Sequence, residues 1–197
     1  MRLAGKTVAG ILFLVLIYCG HTWADVSGAL VYRPGELKPK DSELTLKVGD
    51  RAPDFTLPSL RGEKVSLNQF LGKSNVVLSF VPAAWTPVCS QQWPGYNLAK
   101  DFFLEANAIL LGISVDNVPT LNAWCGQMGN LWFPVLSDFW PHGAVAKSYG
   151  ILRSDGTSER ALFVIDKTGI IRYIDVHDIN KMPRLEDLVR ELSKLPK

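Results

Sequence analysis

The 197-residue chain has three cysteines, Cys19, Cys89 and Cys125, and none of them forms a Cys-x-x-Cys pair. That scarcity excludes the zinc ribbons and fingers, which need four clustered thiolate or imidazole ligands. It also removes the paired-sulfur centre of a dithiol–disulfide exchanger. Histidine is equally sparse. His21, His142 and His177 have no cysteine or histidine at metal-ligand spacing, so no metal and no cofactor is expected. No charge of one sign prevails: 21 Lys and Arg face 19 Asp and Glu, for a net charge of +2. With both signs mixed along the chain there is no basic stripe, and no nucleic-acid partner is expected. Internal repeats and low-complexity tracts are also absent. What the chain does have is apolar mass, 47% of its residues, enough for one core without staples.

The first 24 residues stand apart. Arg2 and Lys6 are their only charges, an apolar run follows from Val8 to Tyr18, and the small residues Thr22 and Ala24 come next. This is the layout of an export signal cut after Ala24. The run is short for a bilayer span, which takes roughly 20 residues, although an uncleaved N-terminal membrane anchor is a second reading. Tyr18 before Cys19 is too bulky for a lipoprotein cut. Residues 25–47 are polar and carry Pro34, Gly35 and Pro39, which reads as a linker or loosely docked arm. Residues 48–197 then form the domain.

Within that domain, "DFTLPSLRGEKVSL" predicts a hairpin turning near Arg61 and Gly62. The runs "NVVLSFV" (75–81) and "AILLGISV" (108–115) are continuous and apolar, as strands covered on both faces are. Between them Trp93, Tyr96, Phe103 and Ala106 recur at helical spacing, predicting one helix over 88–105. A second helix is expected after Asn117 with Pro119 in its first turn, its apolar face formed by Leu121, Trp124, Cys125 and Met128. "FPVLS" follows as a short strand and "HGAVAKSYG" as a short helix. "RALFVID" and "GIIRYID" form a hairpin about Lys167-Thr168-Gly169, and a last helix carries Leu185, Leu188, Val189, Leu192 and Leu195. The expected fold is an α/β, thioredoxin-like sandwich: a central mixed β-sheet flanked by helices on both faces.

The chemistry concentrates where strand 75–81 hands over to the first helix. There the chain reads Trp85-Thr86-Pro87-Val88-Cys89. A helix start presents unpaired N–H groups and a positive dipole end, and thiolates at such positions are stabilised. One turn before Cys89, the Thr86 hydroxyl can face the same pocket. It can accept a bond from a hydroperoxide O–H, and it cannot form a disulfide. Pro82 can shield the sulfur and removes a competing N–H. Arg160 opens the strand "RALFVID" and can bring a guanidinium beside the helix start.

Pro82-x-x-x-Thr86-x-x-Cys89 resembles the signature of the peroxiredoxins, the thiol peroxidases of the thioredoxin superfamily. The stretches "VGDRAPDFTLPSLRGEKVSL", "GISVD", "FPVLSDFWPHGAVAKSYGI" and "ERALFVIDKTGIIRY" agree with it, so the resemblance runs from about Val48 to Leu195. "SDFWPHGAVAKSYG" is most similar to the alkyl hydroperoxide reductase E branch, close to the bacterioferritin-comigratory branch. The resemblance implies that Cys89 is the peroxidatic cysteine, passing through a sulfenic acid. It implies that Thr86 and Arg160 bind and polarise the peroxide while Pro82 shields the sulfur. It also implies reduction of hydrogen peroxide and organic hydroperoxides, with a thioredoxin-like or low-molecular-weight thiol as reductant, and a homodimer. Two positions depart from the family pattern. Gln92 stands where many relatives carry glutamate, and Leu162 where Arg-x-Thr-Phe is usual.

Cys125 has two readings: a small buried hydrophobe, or the resolving cysteine that condenses with oxidised Cys89, as some bacterioferritin-comigratory relatives use. His142 is expected at a helix entry. Trp132, Phe133, Phe139 and Trp140 are expected in the core and on a dimer surface, with part of the cluster able to wall a substrate pocket. The competing activity is thiol–disulfide exchange of the thioredoxin type outside the cytoplasm, which Thr86 opposes. A copper-binding module would want a second cysteine near Cys89 and a partner histidine.

Overall fold

The computed structural model describes residues 31–196. The expected export signal, with Cys19 and His21, lies outside them. A two-stranded hairpin comes first, β1 (Thr56–Pro58) against β2 (Lys64–Ser66). Gly62 turns it at φ +91°, a conformation that costs a glycine little. The main sheet has five strands: β3 (Asn75–Phe80), β4 (Ala108–Ser114), β5 (Val135–Ser137), β6 (Arg160–Ile165) and β7 (Ile171–His177). Their order across the sheet is β5-β4-β3-β6-β7. The β3–β4 and β4–β5 pairs are parallel, while β3–β6 and β6–β7 are antiparallel, so the sheet is mixed as the sequence predicts.

Among the described residues five α-helices accompany it: α1 (Cys89–Leu98), α2 (Lys100–Glu105), α3 (Val118–Gly126), α4 (Ala144–Ser148) and α5 (Leu185–Leu192). The apolar runs of the central strands divide with period two. Val77, Leu110, Leu162 and Val164 point into a cluster with Trp93, Tyr96, Phe103, Trp124, Leu188 and Leu192 from α1, α2, α3 and α5. Val76, Leu78, Phe80, Leu111, Ile113 and Phe163 point the other way, toward the hairpin and Val145, Ala146 and Tyr149 at α4. Both faces are therefore buried, and each fully buried large side chain contributes about 1.5–3 kcal/mol.

Two expectations need correction. The single helix over 88–105 is two helices, parted at Ala99, whose ψ of 15° leaves the helical range. Pro94 inside α1 already removes one ladder donor. The described part of the arm, residues 31–47, is firmly docked, not loose. The Asp41 and Ser42 N–H groups donate to Glu159 Oε1 at 2.6 and 2.8 Å, and Arg153 Nη2 donates to the Lys38 carbonyl at 3.0 Å. Arg153 and Glu159 are themselves a buried ion pair at 2.6 Å. A buried pair of this kind needs partners for its remaining polar atoms, and the arm supplies them for Glu159 Oε1 and Arg153 Nη2. Further along, Leu37 N–H donates to Asn180 Oδ1 at 2.9 Å while Asn180 Nδ2 donates to the Leu37 carbonyl at 2.8 Å.

Candidate active site

Cys89 is the first residue of α1, and its side chain has no accessible surface. The turn leading to it begins earlier: Ser90 N–H donates to the Thr86 carbonyl at 3.0 Å, so Pro87 lies where a missing N–H costs nothing. No acidic residue occupies the first turn of α1 to offset its dipole.

The loop from Pro82 to Val88 is held from three sides. Asp116, just past β4, accepts the Ala84 N–H at 2.7 Å and is itself fixed by the Ser114 hydroxyl at 2.6 Å. The Ser158 hydroxyl donates to the Val81 carbonyl at 3.1 Å. The Trp85 carbonyl accepts the Tyr32 N–H at 2.7 Å. Trp85 itself has φ +62°, left-handed backbone in a bulky residue. Such strain costs about 1–3 kcal/mol and persists where surrounding bonds dictate it. Asp116, Ser158 and the Trp85 conformation escape sequence reasoning. The one signal is the Asp closing "GISVD", which lies within the resemblance but carries no spacing relation to Cys89.

Arg160, the first residue of β6, is buried beside the helix start. Its Nη2 lies 3.5 Å from Cys89 Sγ. Nη1 donates to Gln92 Oε1 at 2.6 Å, and Nε and Nη2 donate to the Ile179 carbonyl at 3.3 and 3.1 Å. Among the described residues no carboxylate lies within ion-pair distance of the guanidinium. Its neighbours are a neutral amide, a neutral carbonyl and the sulfur. Gln92, whose Nε2 also bonds Ser79 Oγ at 3.3 Å, is thus a positioning residue for Arg160.

Thr86 donates its hydroxyl to the Ala83 carbonyl at 3.0 Å. With its proton committed, its oxygen is left as an acceptor. A cavity of about 560 Å³ opens here, lined on the protein side by Pro82, Thr86, Val88 and Arg160 among others. The sequence-derived set of Cys89, Thr86, Pro82 and Arg160 is therefore brought together.

Cys125 is buried on α3 among apolar side chains, and burial pushes its thiol up to about 12. It is a free thiol in this structure, as is Cys89. Its neighbour Trp124 donates Nε1 to the hydroxyl of Ser90, the neighbour of Cys89, at 3.2 Å. His142 stands before α4 and bonds the Gly156 carbonyl at 2.7 Å. The acceptor for the α4 start is Asp138, which takes the N–H groups of Val145 and Ala146 at 3.1 and 2.8 Å. The aromatic cluster divides: Trp132 and Phe133 pack in the core, whereas Phe139 and Trp140 are exposed, Trp140 by 81%. None of the four lines the cavity beside Thr86 and Arg160. Among the described residues no group of three metal-ligating side chains occurs.

Comparison with known proteins shows what the chain is similar to. A profile described as the AhpC/TSA family matches residues 48–174. Alkyl hydroperoxide reductase E of Mycobacterium tuberculosis is 40% identical over 132 residues, covering 66% of this chain and 86% of that protein. A chloroplastic 2-cysteine peroxiredoxin of Chattonella marina var. antiqua is 32% identical over 161 residues, covering 77% of this chain and 82% of the other. Among solved structures, the reduced 2-Cys peroxiredoxin of Plasmodium vivax superposes with a TM-score of 0.70 at 32% identity, covering 75% of this chain and 81% of that one.

Proposed function

The chain belongs to the AhpC/TSA family, the peroxiredoxins, and is a thiol-dependent peroxidase; from that premise we propose that Cys89 is the nucleophile, with Thr86, Arg160 and Pro82 forming the rest of its site. The observation that carries this reading is the buried guanidinium 3.5 Å from the buried sulfur at the start of α1.

Arg160 stabilises negative charge on the Cys89 sulfur, and the anion is the attacking form. The peroxide enters the cavity, and its O–H donates to the Thr86 oxygen. Because the sulfur presents no accessible surface, contact requires a local shift of the Pro82–Val88 loop or of Arg160. The sulfur forms a bond to the terminal peroxide oxygen, and the O–O bond breaks. Sulfur is oxidised by two electrons to a sulfenic acid, and the departing oxygen takes a proton and leaves as water or an alcohol. Arg160 Nη groups stabilise the charge that develops on that oxygen. Pro82 contributes no N–H to compete for the sulfur.

The substrates on this reading are hydrogen peroxide and organic hydroperoxides. A thioredoxin-like protein or a low-molecular-weight thiol returns the sulfenic acid to the thiol, since Cys125 is packed away in the reduced fold. Action outside the cytoplasm, after removal or anchoring of residues 1–24, completes the proposal and rests on Arg2, Lys6 and the run from Val8 to Tyr18. A homodimer through the face carrying Phe139 and Trp140 is proposed on their exposure, and sedimentation of the Trp140→Glu variant tests it.

Stopped-flow mixing with hydrogen peroxide tests the core of the reading. Wild-type protein should lose one fast-reacting thiol per chain. Peroxide consumption by Cys89→Ser at the wild-type rate would overturn it.

A further inference from the structure

We propose that residues 32–37 of the arm are a substrate-specificity element, roofing the cavity for hydroperoxides that carry a bulky apolar group. This deepens the peroxidase reading and rests on it. The family match begins at residue 48, yet part of the cavity lining comes from residues before that point: Tyr32, Pro34 and Leu37 line it together with Pro87, Val88 and Ile179.

The segment is built as an arch. One end is tied by the Tyr32 N–H to the carbonyl of Trp85, next to Thr86. The other is tied by the reciprocal pair between Leu37 and the Asn180 side chain. Asn180 follows Ile179, whose carbonyl holds Arg160. Between the ties, Gly35 takes φ +81°, which lets the chain turn over. The arch is thus anchored to the same two loops that position the threonine and the guanidinium.

What the arch encloses does not suit hydrogen peroxide alone. A water molecule occupies about 30 Å³, and hydrogen peroxide is little larger. A cavity of about 560 Å³ has the size of a small-molecule pocket. Tyr32 remains 70% exposed although its backbone is tied, leaving apolar ring surface for an occupant to cover. The polar end of that occupant meets Thr86 and Arg160, and its hydrocarbon end meets the arch and Ile179.

The test compares cumene hydroperoxide with hydrogen peroxide by kcat/KM, using a common thiol reductant, for wild type, Leu37→Asn and Tyr32→Ser. Both substitutions keep the backbone ties, and thermal melts report folding. The ratio of the two kcat/KM values should fall about tenfold in Leu37→Asn, in keeping with the loss of apolar contacts worth that factor. Binding of cumyl alcohol to Cys89→Ser, followed by tryptophan fluorescence, should weaken similarly when Leu37→Asn is added. A ratio within about twofold of wild type in both arm variants would overturn the proposal. The peroxidase reading would survive that result, because it fails only if wild type consumes neither peroxide or if Cys89 is dispensable.

Discussion

The Arg160 guanidinium is bonded to Gln92 at 2.6 Å on one side and faces the Cys89 sulfur at 3.5 Å on the other. A neutral amide holds the cation, so its charge is not cancelled before it reaches the sulfur. Gln92→Glu would place a carboxylate in that bond. The new charge would compete for the guanidinium and repel an anionic sulfur about a helical turn away. The rate with hydrogen peroxide at pH 6 should fall about three- to tenfold, with Gln92→Met separating loss of positioning from added charge. Stopped-flow fluorescence at several pH values measures it, and an unchanged rate in Gln92→Glu would refute the electrostatic account.

Thr86 offers a sharper distinction. Its hydroxyl proton is committed to the Ala83 carbonyl, so only its lone pairs serve the substrate. Thr86→Ser keeps that arrangement and should retain most activity. Thr86→Val keeps the shape but loses the acceptor, and its kcat/KM should drop about 10²- to 10³-fold. Equal losses in the two variants would mean that the side chain acts by packing.

Much of this was legible in the chain and some was not, for physical reasons. The central strands announce themselves because burial on both faces demands unbroken apolar runs, and Val76 to Phe80 supply one. Cys89 and Thr86 are legible because a helix turn fixes what lies three residues apart. The strand opening at Arg160 offers a guanidinium near the helix start, but its approach to Cys89 depends on β6 pairing with β3, which the sequence does not display. The docking of the arm is not legible at all. Asp41 and Ser42 meet Glu159, and Lys38 meets Arg153, more than a hundred residues away. A polar segment with two prolines reads as a linker unless its distant partners are known. The left-handed Trp85 is likewise dictated by bonds from Tyr32 and the Asp116 tether, not by its own preference.

The two readings of Cys125 lead to different outcomes after oxidation. Burial pushes its thiol up to about 12, so it is protonated at neutral pH and a poor nucleophile toward a sulfenic acid. The Trp124–Ser90 bond also pins α3 to the first turn of α1. After one equivalent of hydrogen peroxide the folded protein should gain the mass of one oxygen on Cys89, and iodoacetamide at pH 8 should spare Cys125 until urea is added. A rapid Cys89–Cys125 disulfide in wild type would show that the first turn of α1 unwinds on the catalytic timescale. In that case Trp124→Phe should speed the bridge further.

Acid should release the arm in a defined window. Bonds from Lys38 and Ser154 hold the Asp41 carboxyl well below the usual carboxylate range. The Asn180 N–H and Lys181 hold Asp178 down to about 2, against an ordinary 3.8. Both carboxyls take up a proton less readily folded than unfolded, so their tethers are fully present above about pH 4. They are lost as pH falls through the folded values, about 2 for Asp178. Pepsin at pH 4 should therefore cut the wild-type arm near Leu37 or Leu44 slowly. It should cut Asp41→Asn much faster, because that side chain cannot carry the charge. Equal cleavage rates would show that the bonds to Glu159, Arg153 and Asn180 hold the arm without the Asp41 carboxylate.

The last relationship tests the floor beneath the site. Ser79 on β3 lies directly opposite Gly112 on β4, and Trp93 lays its indole across that pair, donating Nε1 to Ser79 Oγ at 3.2 Å. A methyl group on Gly112 would sit 2.8 Å from Trp93 Cζ2. The ring has nowhere to retreat, since Trp124 and Phe133 pack on it at centroid distances of 5.0 and 6.2 Å. Gly112→Ala should therefore destabilise the protein by about 1–3 kcal/mol, the usual effect of overpacking, read from urea unfolding. Activity should suffer as well, because Trp93 follows Gln92 and any displacement of the ring shifts the amide that aims Arg160. Trp93→Phe alone leaves a void and should also destabilise. Combined with Gly112→Ala, the smaller ring makes room for the new methyl, so the double variant should be more stable than the two separate losses imply. Strict additivity would mean that the indole does not contact Gly112 in solution.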